Sequence, residues 1–426
     1  MIFRWLFSST VREACAMRSH VYHLLCAQRD VLTPPAIGGV TLAMNQLRDT
    51  IAAGENIGKI RLKMDELDFA ANKWLKPYPN ALWRENVEVI LVAVAVAMAI
   101  RTFFVQPFKI PTGSMQPTLF GVTSVPDFSR IIFNAEDKSK IQAQLNEQFK
   151  LRKTLTLPTG WERVREWFEG ISYVQVVAQN DGELQAVEPP VKFLIFNIKQ
   201  TLWIGGQPQT IWFPPDYGEQ PLPARAGLRT HTDFGEGQLC HKGDVVVNLR
   251  VSAGDHLFVD RFTYNFRRPQ RGEIAVFQTE GIQHPAMPQD QFYIKRLVAL
   301  PGDRVQIGDD RHLIINGRRL DASTPHFENV YSFDPKLPPR KSEFSGHVNG
   351  TVAEKYNIYP GLSLAPLFPD EQTVFTNDND TYMVMGDNTT DSFDSRVWGP
   401  FPARNVIGKS FFVYWPITQR FGWGNR

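Results

Sequence analysis

Ser114 stands in the run IPTGSMQPTLFG (110–121), between Gly113 and Met115, with Pro111 and Pro117 stiffening the loop on either side. Gly113 permits close backbone approach or a positive φ. A serine hydroxyl is scarcely ionised at neutral pH, so it becomes a nucleophile only beside a base. Two histidines sit near carboxylates: His256 next to Asp255, and His312 near Asp309 and Asp310. A Ser-His-Asp triad is recognised by geometry, and both histidines also fit turn-adjacent positions in strand-like runs. Lys295, in QFYIKRLVALPGD, is the better base. Alternation along a strand puts Tyr293, Lys295 and Leu297 on one face, and Ile294, Arg296 and Val298 on the other. A lysine aimed into apolar surroundings is destabilised as the cation, so its pKa of about 10.4 can fall by several units. The neutral amine could then take a hydroxyl proton. A third cluster, MGDNTTDSFDSRVW (385–398), carries Asp387, Ser392, Asp394 and Arg396. It offers a hydrogen-bond partner for the lysine and a carboxylate–guanidinium brace. His231, Cys240 and His241 match no zinc spacing, and no metal or cofactor is predicted.

These residues need elements to bring them together. From about 107 onward the texture is one of short β-rich runs punctuated by Gly, Pro and Asp: GDVVVNLRV, DHLFVDRF, GEIAVFQ, FYIKRLVAL, DRVQIG, HLIING, YMVMGD and IGKSFFVYW. They predict strands of a mixed or antiparallel β domain. Helices are predicted over 136–152 and within LPTGWERVREWFEGI, and the stretch GRRLDASTPHFENVYSFDPKLPPRKSEFSG reads as irregular. Residues 1–86 read as a mostly polar helical segment, with apolar residues near helical spacing in IGKIRLKMDELDFAANKWL.

Between Val87 and Val105 the only charged residues are Glu88 and Arg101. About 19 apolar residues in a helix cover roughly the 30 Å hydrocarbon core of a bilayer. A buried core helix is the competing reading, and a cleaved leader is disfavoured by the distance from Met1. Lys59, Arg61, Lys63, Lys73, Lys76 and Arg84 precede the span, which predicts a cytoplasmic N-terminus and residues after about 106 outside. Trp74, Tyr78 and Trp83 suit the cytoplasmic interface. The rest of the composition is globular: 426 residues, 43% hydrophobic, 21% charged, net charge +2. That near-neutral balance makes no case for a nucleic-acid partner. Cys15 and Cys26 lie before the span and Cys240 after it, so no disulfide framework is implied.

Four segments occurring in order after a membrane span, IPTGSMQPTL, GDHLFVDRF with RGEIAVF, YIKRLVALPGD and GDNTTDSFDSRVWG, resemble the successive boxes of bacterial type I signal peptidase. The resemblance implies a mainly β catalytic domain behind an N-terminal membrane helix, with inserted α+β segments. It implies Ser114 as nucleophile and Lys295 as general base, with an oxyanion hole made by the Ser114 N–H and the Thr112 hydroxyl. Ser392 matches the serine that orients the lysine, Asp394 and Arg396 a structural ion pair, and Gly386, Asp387 and Asn388 the turn before it. Phe108, Ile110, Met115, Leu119, Tyr293 and Ile294 match positions lining small pockets for the substrate's −1 and −3 residues. The implied substrates are signal peptides of exported preproteins ending in Ala-x-Ala. The implied setting is the bacterial cytoplasmic membrane, single-pass, with the catalytic domain on the outer face beside the export machinery.

The predicted division is 1–86, a cytoplasmic helical segment; 87–105, the span; and 106–121 with 251–426, the catalytic domain, in which about 305–380 forms a cap. Residues 122–250 are an insert absent from typical members, and Gln116 and Phe292 replace the Met and Asp of better-known Gram-negative ones. The self-cleaving repressors, which also use Ser and Lys, are soluble, and the span argues against them. A catalytically inactive scaffold using the insert to bind partners is the alternative from another class.

Overall fold

The computed structural model describes residues 8–76, 81–126, 155, 157–193, 196–358 and 364–423. The helix predicted over 136–152 lies outside them. The chain divides into two compact units, Met1–Ala95 and Val96–Arg426.

In the first unit, three helices run Ser9–Gln28 (α1), Pro34–Ala52 (α2) and Ile57–Trp74 (α3). The Asn56 side chain caps α3 by accepting from the Lys59 N–H at 2.9 Å. Pro34 opens α2, where its missing N–H costs nothing. The apolar positions seen at helical spacing converge: Val21, Leu25, Val40, Leu47, Ile60 and Leu67 form one buried core. The Gln28 side chain ties the end of the bundle, donating to the Lys76 carbonyl at 2.8 Å and accepting its N–H at 3.0 Å. The segment thus pairs with itself.

A fourth helix, α4, runs Ala81–Phe103. Its stretch Asn86–Phe103 is long and apolar enough to cross a membrane, and none of it is buried within the protein. Eighteen residues at 1.5 Å rise give about 27 Å. The helix ends two residues short of the boundary at 105, because Val105–Lys109 (β1) pairs instead as a strand.

The second unit is β-rich. After β1 come Thr123–Pro126 (β2), helix Trp161–Phe168 (α5), Ile171–Val177 (β3), Gly182–Val187 (β4), Val191–Phe193 (β5), Phe196–Ile204 (β6) and Gln207–Trp212 (β7). Helix Leu222–Ala226 (α6) leads to Leu239–Cys240 (β8), Val245–Ser252 (β9), His256–Asp260 (β10), Ile274–Gln278 (β11) and Phe292–Ala299 (β12). Then follow Arg304–Ile307 (β13), Leu313–Ile315 (β14), Arg318–Arg319 (β15), Phe375–Thr376 (β16), Thr381–Met385 (β17), Phe401–Pro402 (β18), Val406–Trp415 (β19) and Gly422–Trp423 (β20). Every strand run named from the sequence is a strand here.

The principal sheet has the order β1-β10-β19-β11-β12-β17-β18, with β20 on β19, and all its pairs are antiparallel. Alternation along β11 sends Ile274 and Val276 to one apolar cluster and Phe277 to another. A second sheet, β15-β14-β13-β16, carries its own core around Val305, Ile307, Leu313, Phe327 and Phe368. The described part of the stretch between β2 and β9 is built around strands. It builds the sheet β2-β9-β3 and the sheet β5-β6-β4-β8 with β7 on β6, around Leu184, Leu202, Ile204, Val247 and Leu249.

Candidate active site

The loop carrying Ser114 leaves the edge strand β1 and folds back over the principal sheet. Ile110, Met115 and Leu119 hold it down, packing with Leu257, Val259, Ile274 and Val276. Three glycines from distant parts of the chain let backbone approach backbone. A Cβ on Gly254 would sit 2.0 Å from the Ile110 carbonyl oxygen, and one on Gly121 would sit 2.0 Å from that of Thr112. One on Gly386 would lie 2.4 Å from the Ser114 carbonyl oxygen and 2.2 Å from Ser392 Oγ. No side chain fits at any of the three. Asn388 completes the clamp, donating its N–H to the Ser114 carbonyl at 3.1 Å and its Nδ2 to that of Gly113 at 2.9 Å.

Lys295 comes from the middle of β12. Its cross-strand neighbour is Ala275, a small residue that leaves the long side chain room. Lys295 Nζ donates to Ser114 Oγ at 2.7 Å and to the Ile294 carbonyl at 3.3 Å, and both Ser114 and Lys295 are buried. Burial drives the lysine pKa from 10.5 down to about 8, even though Asp394, Glu219 and Asp387 act to raise it. The pair therefore holds an amine that loses its proton near neutrality against a hydroxyl at hydrogen-bond distance. Two residues 181 positions apart meet in one contact.

Two fully buried ion pairs support the turn after β17. Arg396 clasps Asp394 in bidentate fashion at 2.9 and 2.8 Å, and also donates to Thr389 Oγ1 at 2.8 Å. Burial pushes the Asp394 carboxyl up, but Arg396 and the Gly386 N–H hold it below the usual carboxylate range. Arg296 clasps Asp387 at 2.8 and 2.7 Å, and Thr118 Oγ1 donates to the same carboxylate. The nucleophile loop, β12 and the 386–396 turn thus share one polar network.

Ser114, Lys295, Gly386, Asp387, Asp394 and Arg396 are brought together. Thr112 is half-buried, two residues from Ser114, and its hydroxyl makes no hydrogen bond among the described residues. Ser392 is correctly near but does not bond to the lysine. Its Oγ lies beside Gly386, and its hydroxyl faces Asp394, helping to hold that carboxyl below the usual range. Of the pocket candidates, Ile110, Met115 and Leu119 are buried in the cluster, while Phe108, Tyr293 and Ile294 keep some exposure. Phe108 meets Phe292 edge-on at 5.3 Å. Neither histidine considered as a base touches Ser114: His256 packs by Trp415, and His312 stacks on Tyr331. Sequence reading missed the part played by Arg296, Asn388, Gly121 and Gly254. The signal for Arg296 was a second cation inside an apolar strand, which needs a buried counter-charge.

With this geometry in hand, comparison with known proteins is informative. The model of the family described as signal peptidase, peptidase S26, matches residues 83–139 and 248–415, more than half of the chain. The chain belongs to the signal peptidase family, whose members are serine endopeptidases. The match is split around 140–247. Signal peptidase I of Leptolyngbya laminosa is 26% identical over 194 residues, 45% of this chain and 74% of that protein. Probable signal peptidase I-1 of Synechocystis is 31% identical over 175 residues, 41% and 67%. Probable thylakoidal processing peptidase 2 of Arabidopsis thaliana is 32% identical over 173 residues, 40% and 35%.

Proposed function

We propose that this chain is a membrane-anchored serine endopeptidase that removes N-terminal signal peptides from exported preproteins after small residues of the Ala-x-Ala type. The single observation that carries the reading is the buried 2.7 Å contact between Lys295 Nζ and Ser114 Oγ. Neutral Lys295 takes the Ser114 proton as Oγ attacks the carbonyl carbon of the −1 residue. The oxyanion is met by the Ser114 N–H and the Thr112 hydroxyl, each donor worth about 3 kcal/mol in such sites. Lys295 then protonates the departing amine. A water, deprotonated by the same lysine, attacks the acyl carbon, and the lysine returns the proton to Ser114 Oγ as the acyl group leaves. Apart from that water, the cycle uses only groups of this chain and the substrate.

Ser392, whose hydroxyl lies beside Gly386 and Asp394, is the positioning residue for the lysine once substrate displaces the resting contacts. Asp394 and Arg396 brace the turn that Gly386 and Asp387 begin. Phe108, Ile110, Met115, Leu119, Tyr293 and Ile294 shape pockets too small for large side chains. Residues 106–121 and 251–426 form the catalytic domain, about 305–380 its cap and 122–250 an insert. The setting is a bacterial cytoplasmic membrane crossed once at 87–105. The N-terminal helices lie inside, the catalytic part lies on the outer face, and the export machinery delivers the preprotein.

The test is purified protein in detergent with one Ala-x-Ala preprotein. Wild type should cleave it, while Ser114→Ala and Lys295→Ala should not. Normal cleavage by both variants would overturn the reading, and an inactive scaffold would show none by the wild type. Lys295→Arg should also fail, since a guanidinium stays charged.

A further inference from the structure

The stretch that the family match leaves out returns to the site. After β7 the chain forms a segment, Pro214–Arg225, that runs into α6 and is fastened on both flanks. Tyr217 and Leu222 are buried in the core that the insert sheets share. Arg225 is buried and donates to the Tyr217 carbonyl, to the Val122 carbonyl at 3.2 Å and to Ser124 Oγ at 3.3 Å. Two further contacts reach the edge of the catalytic sheet. Asp216 pairs with Lys109, the last residue of β1. Gly218, at φ +70°, lies so close to the nucleophile loop that a Cβ there would be 2.9 Å from the Pro111 carbonyl oxygen. The next residue is Glu219, which is exposed and makes no ion pair among the described residues.

We propose that Pro214–Arg225 is an inserted wall of the substrate groove, and that Glu219 selects substrates bearing positive charge beside the scissile bond. This rests on the peptidase reading above. Anchoring at Lys109, Pro111 and Val122 leaves Glu219 at the mouth of the site, and its field is felt there. It acts on Lys295 together with Asp394, Asp387 and Arg396, and after burial it is the charge that pushes the Tyr293 hydroxyl up. Asp394, Asp387 and Arg396 are spent in buried pairs. Glu219 is the one acidic group of the set that an incoming peptide meets in solvent. A lysine or arginine on the substrate gains from it, and an aspartate or glutamate is opposed.

The experiment uses the full chain in detergent and a panel of Ala-x-Ala peptides carrying one Lys or one Glu at successive positions from −4 to +3. For the wild type, kcat/KM should favour Lys over Glu by about three- to tenfold at one or more positions. Glu219→Gln should bring that ratio close to one, and high salt should do the same to the wild type. On a neutral peptide, the same substitution should move the acid limb of the kcat/KM profile downward by roughly half a pH unit, because an anion that favours the ammonium is gone. Peptide affinities measured on Ser114→Ala, with and without Glu219→Gln, give the same charge preference without turnover. Failure of the peptidase reading alone would leave that preference intact. An unchanged Lys/Glu ratio in both cleavage and binding, with an unmoved pH limb, would overturn the proposal.

Discussion

At the scale of single residues, the site turns on what burial does to one amine. With a pKa of about 8, Lys295 is neutral in about a tenth of molecules at pH 7. On the proposed mechanism, kcat/KM should rise roughly tenfold per unit below pH 7 and level off above about 8.5. A pH series on a neutral peptide checks this, and a flat profile from 6 to 9 would contradict it. The same burial has a stability cost of opposite habit to a carboxylate's. The unfolded lysine holds its proton up to about pH 10.4, so between 8 and 10.4 the unfolded state binds more protons. Stability therefore rises with pH across that window, by about 3 kcal/mol from this group, and the full cost is felt below pH 8. Lys295→Met should raise the unfolding midpoint at pH 7 while abolishing cleavage, as thermal unfolding in detergent would reveal.

At the scale of elements, the principal sheet and its turn do the positioning. Gly386→Ala would drive a methyl into both the Ser114 carbonyl and Ser392 Oγ. A displacement of about 1 Å at the nucleophile should cost on the order of a hundredfold in kcat/KM, with circular dichroism showing the β-rich fold retained. Asp387→Ala should be worse for the fold than for the chemistry. It strands a buried Arg296 guanidinium, at about 3–5 kcal/mol, and thermal unfolding should show a large drop in midpoint. These contacts explain what the sequence could disclose. Strands such as FYIKRLVAL were legible because alternation and turn residues are local. Lys295 stood out because a cation in an apolar run needs a reason. The clamp by Asn388, and the need for glycine at 121, 254 and 386, depend on backbone approaches between segments far apart in the chain. No local pattern carries such approaches. Ser392 shows the opposite limit: its position was readable, but not that it makes no hydrogen bond to the lysine at rest.

At the scale of the whole molecule, the two units have separate cores. The α1–α3 bundle closes on Val40, Leu47, Ile60 and Leu67, with none of the site residues among them. A chain beginning at Ala81 should therefore cleave a peptide in detergent at a rate within about twofold of the full chain. A loss beyond tenfold would tie the helices to catalysis. The insert was the least legible region. Of its two predicted helices only α5 falls among the described residues, and most strands of its sheets were not read from the sequence. Their strands, such as Gln207–Trp212, mix polar residues on both faces and lack clean alternation.

The order β1-β10-β19-β11-β12 has a consequence in time. β1 and β10 carry the nucleophile loop, while β11 and β12 carry Lys295. The strand that joins these halves, β19, is Val406–Trp415, made after all the others in that row. During synthesis the serine emerges first and the lysine some 180 residues later, yet no strand pairing joins the two halves of the row until β19 arrives. A chain stopped short of Val406 would own both chemical partners and remain unarmed. The topology thus ties the appearance of a protease to the making of Val406–Trp415.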